Sequence, residues 1–371
     1  IMKLRNILLL SIWGTALLSA CSSGSSSNNS VTPPSIQYSQ MNYTGSLPTG
    51  GTTGLTGIRQ VGTTSNVYIT GSYVVNGLSN GTLYVGGVTG GGTYYVYDYP
   101  SSTGATTSGT NVYSADNGSG SNVLLTGTYT TAELGESHAL GFYYNGPVSN
   151  TQQANNWQTL IFPESQVPGN LPVGNTYPHS IMGGLIVGNY LSGTTAGNGF
   201  IYNIAANSYQ SVQYPSARYT TIYGIWWNGG ESYTIAGGYS ATDIKGIGVG
   251  FIADYNSRTN TFSNWTAYTY NNQPAAITHF EGITTDGAGG YNLAAGSEAS
   301  GVSYASFVHI TRNSSGGFNT TATWTDARYP NSSTTTADTV YQNYLYGVYM
   351  ESGVSGLNGY AANIPGGYPA N

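Results

Sequence analysis

Charge is what this sequence has least of. Only 6% of its 371 residues are Asp, Glu, Lys or Arg, where roughly 25% is usual in a soluble domain. Eight Lys and Arg stand against fourteen Asp and Glu, for a net charge of −6. A protein that grips nucleic acid needs a cationic face to displace counterions from phosphates, and so few basic side chains build none. Cysteine occurs once, which excludes a disulfide scaffold. Runs of Ala, Leu, Glu and Lys are missing, which disfavours helix. No G-x-S-x-G elbow and no Walker loop is present. His138, His179, His279 and His309 are widely spaced, with no H-x-x-x-H pair for a metal. No motif names a catalytic residue, a metal site or a cofactor.

What is abundant is glycine, at 54 residues, and tyrosine, at 34. With Thr, Ser and Asn they point to an all-β protein with polar, uncharged surfaces. Hydrophobic residues make up 39% of the chain and aromatics 13%, too much for charged disorder.

The chain opens with Met2-Lys3-Leu4-Arg5, an apolar stretch from Ile7 to Leu18, and then Leu18-Ser19-Ala20-Cys21. Such a segment reads as an export signal, too short to span a bilayer. Leu-Ser-Ala-Cys resembles the lipobox of bacterial lipoproteins. That resemblance implies removal of residues 1–20 and acylation of Cys21, with palmitate among the chains expected. Several acyl chains hold a protein firmly on a membrane. Ser22 after the cysteine implies, by the same resemblance, the outer membrane of the cell envelope. Residues 21–34, rich in Ser, Asn and Pro, read as a tether. Residues 35–371 form the folded domain.

Within that domain a unit recurs. A short apolar strand comes first, at Gly57-Ile58, Asn111-Val112, Ser180-Ile181, Gly224-Ile225, Gly282-Ile283 and Thr339-Val340. A second strand follows: VYITGSY (67–73), VLLTGTY (123–129), LIVGNY (185–190), YTIAGGY (233–239), YNLAAGS (291–297) and NYLYGVY (343–349). A third begins with a small residue and an aromatic, as in Gly141-Phe142 and Gly199-Phe200. Aromatic segments such as WQTLIFP (157–163) and YQSVQYP (209–215) close several units. The anchors 58, 112, 181, 225, 283 and 340 give a mean period of (340 − 58)/5, about 56 residues, near that of a four-stranded propeller blade. Six units predict a six-bladed β-propeller. The last unit lacks its outer strand, and the unassigned IQYSQMNYT (36–44) is expected to supply it, closing the ring and covering an edge. This layout resembles the HAF-type repeats of bacterial extracellular proteins across residues 55–365, most closely at Ser137-His138-Ala139-Leu140-Gly141-Phe142. That resemblance implies a propeller and no particular chemistry.

Two other patterns read as structural. Gly246-Ile247-Gly248-Val249-Gly250 runs into a strand and not a helix, so it is no nucleotide loop. Asp254 to Asn260 lacks a closing Glu and reads as a hairpin turn.

Inner strands of a propeller converge on a channel. The residues two before each anchor are Thr56, Thr110, His179, Tyr223, Glu281 and Asp338. Side chains at even spacing share one side of a strand, so these six are expected to ring the axis. Glu281, Asp338 and His179 would bring scarce ionisable groups into one funnel; the bland alternative is that they cap strands. Trp157, Trp265 and Trp324 recur near unit ends and read as packing. Trp226 and Trp227 are adjacent, so one of them is expected to reach a solvent or ligand surface. The candidate ligand-binding set is therefore His179, Tyr223, Trp226, Trp227, Glu281 and Asp338. The sequence points to an anchored envelope module, for binding and adhesion or structural, with carbohydrate or a surface protein as the partner. The alternatives are an envelope glycan hydrolase or lyase with its site in the funnel, and an outer-membrane barrel.

Overall fold

The computed structural model describes residues 35–43, 51–100, 107–133, 138–149, 151, 153–193, 197–240 and 248–366. The signal segment, Cys21 and the tether lie outside the described residues.

The described chain forms six separate antiparallel sheets around an axis, each one blade. Blade 1 comprises Thr52–Gln60, Val67–Val75, Leu78–Gly87 and Gly90–Tyr97, from the inside outward. Blade 2 runs Thr107–Asn117, Asn122–Thr131, Leu140–Pro147 and Trp157–Leu160. Blade 3 is Val173–Met182, Leu185–Ser192, Asn198–Asn203 and Ser208–Val212. Blade 4 is Tyr219–Trp227, Ser232–Ser240, Val249–Asn256 and Thr261–Tyr268. Blade 5 is Ile277–Thr285, Tyr291–Ala299, Val302–Ile310 and Thr323–Asp326. Blade 6 has an inner strand in two pieces, Ser332–Thr335 and Thr339–Tyr341, followed by Tyr344–Glu351 and Asn358–Asn363. Its outer strand is Gln37–Gln40, paired antiparallel from Gln37↔Asn363 to Gln40↔Tyr360. The chain is thus a six-bladed β-propeller whose ring is closed by its N-terminal strand. The barrel alternative falls, because no sheet continues into the next.

A single blade cannot bury both its faces, so the core lies between blades. Leu83 of blade 1 packs with Val112 and Phe142 of blade 2; Ile252 of blade 4 packs with Phe280 and Leu293 of blade 5. Trp157 is buried in this packing, and Trp265 and Trp324 lie half-buried against it.

One junction device repeats six times. An aromatic residue ahead of each inner strand donates its backbone N–H to a threonine hydroxyl on that strand. The pairs are Tyr43–Thr53, Tyr99–Thr110, Phe162–Thr176, Tyr214–Thr220, Tyr270–Thr278 and Tyr329–Thr335, all within 2.9–3.1 Å. Each aromatic ring also stacks on a tyrosine, at centroid separations of 3.6–4.4 Å. In five blades that tyrosine faces the threonine across the first strand pair. Blade 5 has Ser297 there instead, and its cross-strand partner Tyr304 supplies the ring. A buried hydrogen bond of this kind contributes about 1 kcal/mol and a stacked pair about the same. The abundance of Tyr and Thr in the composition has its structural use in this clamp.

Candidate functional site at the centre of the propeller

Each of the first five inner strands carries a β-bulge at one equivalent place. The register slips between Leu55 and Gly57, Val112 and Ser114, Pro178 and Ser180, Ile222 and Gly224, and Phe280 and Gly282. In blade 6 the inner strand is interrupted between Thr335 and Thr339. A bulged residue has no ladder partner, and its side chain is re-aimed. The residues set free are Thr56, Tyr113, His179, Tyr223 and Glu281; at the interruption of blade 6 the matching residue is Asp338, whose N–H still bonds the Tyr346 carbonyl. The residue after each is small, because neighbouring inner strands approach closely there. A Cβ on Gly57, for example, would lie 2.3 Å from the Tyr113 carbonyl oxygen.

Contacts link these side chains part of the way around the axis. Thr56 Oγ1 donates to the Val112 carbonyl at 2.6 Å. The rings of Tyr113 and His179 lie 5.2 Å apart, and His179 stacks on Tyr223 at 3.6 Å. Tyr223 meets His279 edge-on at 4.4 Å. His279 Nε2 lies 2.7 Å from Thr221 Oγ1, and its Nδ1 lies 2.9 Å from Glu281 Oε1. That second contact is an ion-pair distance without hydrogen-bond alignment. Asp338 accepts from Thr336 Oγ1 at 2.7 Å and is close enough to Glu281 to feel its charge. All six ring residues are half-buried. They keep some surface open to the channel while protein surrounds them.

That enclosure sets their protonation. Burial, with the nearby His279, pushes the His179 imidazole down to about 3. Burial pushes the Asp338 carboxyl up to about 8, Glu281 adding to the shift and the Thr336 hydroxyl opposing it. Burial, then Glu281, raises the Tyr223 phenol. At neutral pH the ring therefore offers a neutral imidazole and a protonated acid, able to donate where most carboxylates only accept.

Of the residues singled out in the sequence, His179, Tyr223, Glu281 and Asp338 come together here. Thr110 does not, which corrects the ring expected for the second unit. It sits three residues ahead of Tyr113, buried, with its hydroxyl in the junction clamp. The matching anchor in blade 2 is Ala115, not Val112. Alanine fills the place taken elsewhere by Ile or Val, and Val112 is equally buried. Trp226 lies one level further along the channel, its ring 5.5 Å from the Arg59 guanidinium. Trp227 turns away, is 43% exposed, and donates its indole N–H to the Gly230 carbonyl.

Sequence reasoning missed Tyr113 and His279. The even spacing of His279 and Glu281 was a usable signal for the second. His309 is buried elsewhere, its Nε2 2.9 Å from Asp286 Oδ2. Among the described residues, no three His, Cys, Asp or Glu side chains are placed to hold a metal. A separate open cleft of about 510 Å³ lies between blades 4 and 5, lined by Asn228, Asp254, Tyr291 and Arg312. Arg312 forks onto Asp254 at 2.8 and 2.7 Å and also donates to Gly289 and Gly316, so it acts as a staple.

No family model and no curated protein matches this chain. Among solved structures, a luciferin-regenerating enzyme superposes with a TM-score of 0.51 at 12% identity, covering 90% of this chain and 97% of that one. An ulvan lyase bound to a GlcA–Rha3S polymer gives a TM-score of 0.38 at 11% identity, covering 80% of each chain. The first match supports the propeller fold. At such identity it says nothing of the activity.

Proposed function

We propose that this chain is a lipid-anchored cell-envelope propeller that binds carbohydrate in its central channel. The observation that carries the binding reading is the convergence of His179, Tyr223, Glu281 and Asp338 at one level of the axis. Phenol, imidazole and protonated carboxyl groups together donate and accept hydrogen bonds as sugar hydroxyls require, at low net charge. A glycan array on the chain from residue 35 onward, which contains all six blades, tests this. Tyr223→Ala is expected to lower the affinity of any bound glycan at least tenfold, with the fold intact by circular dichroism. Unchanged binding sinks the channel as the site.

A second reading has its own support. Asp338 holds a proton beside Glu281, and a glycan hydrolase or lyase works with one acid and one base. Release of product from a bound polysaccharide, abolished in Glu281→Gln while binding persists, would turn the module into an enzyme.

The anchor is a separate part of the proposal and rests on the lipobox-like Leu18-Ser19-Ala20-Cys21. Cys21→Ser is expected to move the protein from the membrane fraction to the soluble fraction of a bacterial host. Retention on the membrane would remove Cys21 from the account.

A further inference from the structure

Arg59 lies three residues beyond Thr56 on the inner strand of blade 1, so it is one level further along the channel. Its side chain crosses the axis. Nε donates to the Ala115 carbonyl of blade 2 at 3.5 Å, and Nη2 to the Ile181 carbonyl of blade 3 at 3.3 Å. The guanidinium lies over the Trp226 ring of blade 4. Arg59 is 7% exposed.

A guanidinium carries five N–H donors in a planar fork. Here two long hydrogen bonds to carbonyls use a minority of them. Asp116 is near enough to favour the charged form, yet burial outweighs it and the net push on Arg59 is downward. The Asp116 oxygens are taken by the backbone N–H groups of Asn117 and Gly183. A buried cation so weakly compensated costs stability. The fold keeps it beside an aromatic ring, one level along the axis from the ring of hydroxyl and carboxyl groups.

We propose that Arg59 is a carboxylate-binding group on the propeller axis, so that the ligand is a glycan bearing an acidic sugar. This rests on the channel being the binding site. Arg59 recognises the acid through its planar fork, and the ring above it meets the sugar hydroxyls.

The test uses the whole chain and two probes: an oligosaccharide ending in glucuronate, and the same oligosaccharide with its carboxyl reduced to the alcohol. Calorimetry is expected to give at least tenfold tighter binding of the acidic probe. Arg59→Gln is expected to collapse that ratio to near one without lowering the melting temperature, because it removes a poorly compensated buried charge. Arg59→Lys, which keeps the charge and loses the fork, should fall between. Equal affinities in the unaltered protein overturn the carboxylate claim. So does a ratio untouched by Arg59→Gln, or a melting point that falls steeply in both variants. In those cases a joint loss of both probes in Tyr223→Ala still leaves the channel as the site. If neither probe binds, the acidic-glycan proposal fails outright.

Discussion

A chain that begins at residue 44 is expected to lose its cooperative unfolding transition, or to melt at least ten degrees lower than the intact protein. Residues 35–43 do three things at the closing junction. Gln37–Gln40 covers the edge of Asn358–Asn363, which would otherwise expose a row of unpaired backbone groups. Met41, 3% exposed, fills the junction of blades 6 and 1, and Tyr38 packs edge-on against Tyr329 at 5.1 Å. Tyr43 supplies the clamp at that junction, donating to Thr53 and stacking on Tyr73. Removing Met41 alone to a cavity costs about 2–5 kcal/mol, and the lost hydrogen bonds add about 1 kcal/mol each. The junction is also where blade 6 meets blade 1 without consecutive sequence, so nothing covalent replaces what is removed. Scanning calorimetry of the truncated and intact chains measures the effect. A synthetic peptide of residues 35–43 should restore part of it. A truncated chain that melts like the parent would show that the ring does not depend on this strand.

The second large effect is one of pH. The melting temperature of the unaltered protein is expected to fall between about pH 6.5 and 8, and Asp338→Asn is expected to remove that fall. In the unfolded chain the Asp338 carboxyl ionises near 3.9; in the folded protein it ionises at about 8. Across that window the native state holds a proton that the unfolded state lacks. Stability therefore drops as pH rises, and levels off above 8. His179 acts the other way. With its native imidazole pushed down to about 3, it is charged only in the unfolded state up to about 6.5, so stability is lost as pH falls below that value. The two groups oppose each other on the acid side, and of the pair only Asp338 titrates above about 6.5; burial raises Asp98 and Asp116 in the same direction, which is why the Asp338→Asn comparison is needed. Over the remaining pH span the loss is about 1–2 kcal/mol. Parallel melting profiles for the two proteins would show that Asp338 is not the group responsible.

The channel ring was partly legible before the structure. His179, Tyr223, Glu281 and Asp338 follow from counting back two residues from an apolar anchor. The count works because a bulge, a small residue and a buried aliphatic recur in that order. It fails in blade 2, where the buried residue at that place is Ala115 and the apolar Val112 lies three residues ahead of it. A slip of three residues there put Thr110 in the ring in place of Tyr113. Trp226 and Trp227 could be divided into one inward and one outward residue, but not assigned to either. The inward one was settled by Arg59, which arrives from the opposite blade.

The amino-acid sequence alone determined that the domain is a ring of six blades and that the segment containing Gln37–Gln40 completes the last. Those features are written in local patterns: strand length, turn glycines and a period counted along the chain. Only the tertiary structure decided which side chains meet on the axis, which threonines hold the junctions and which partners Arg59 lacks. The axial contacts depend on bulges that re-aim a side chain and on meetings between blades whose members lie forty or more residues apart. Periodicity along a strand carries no record of either.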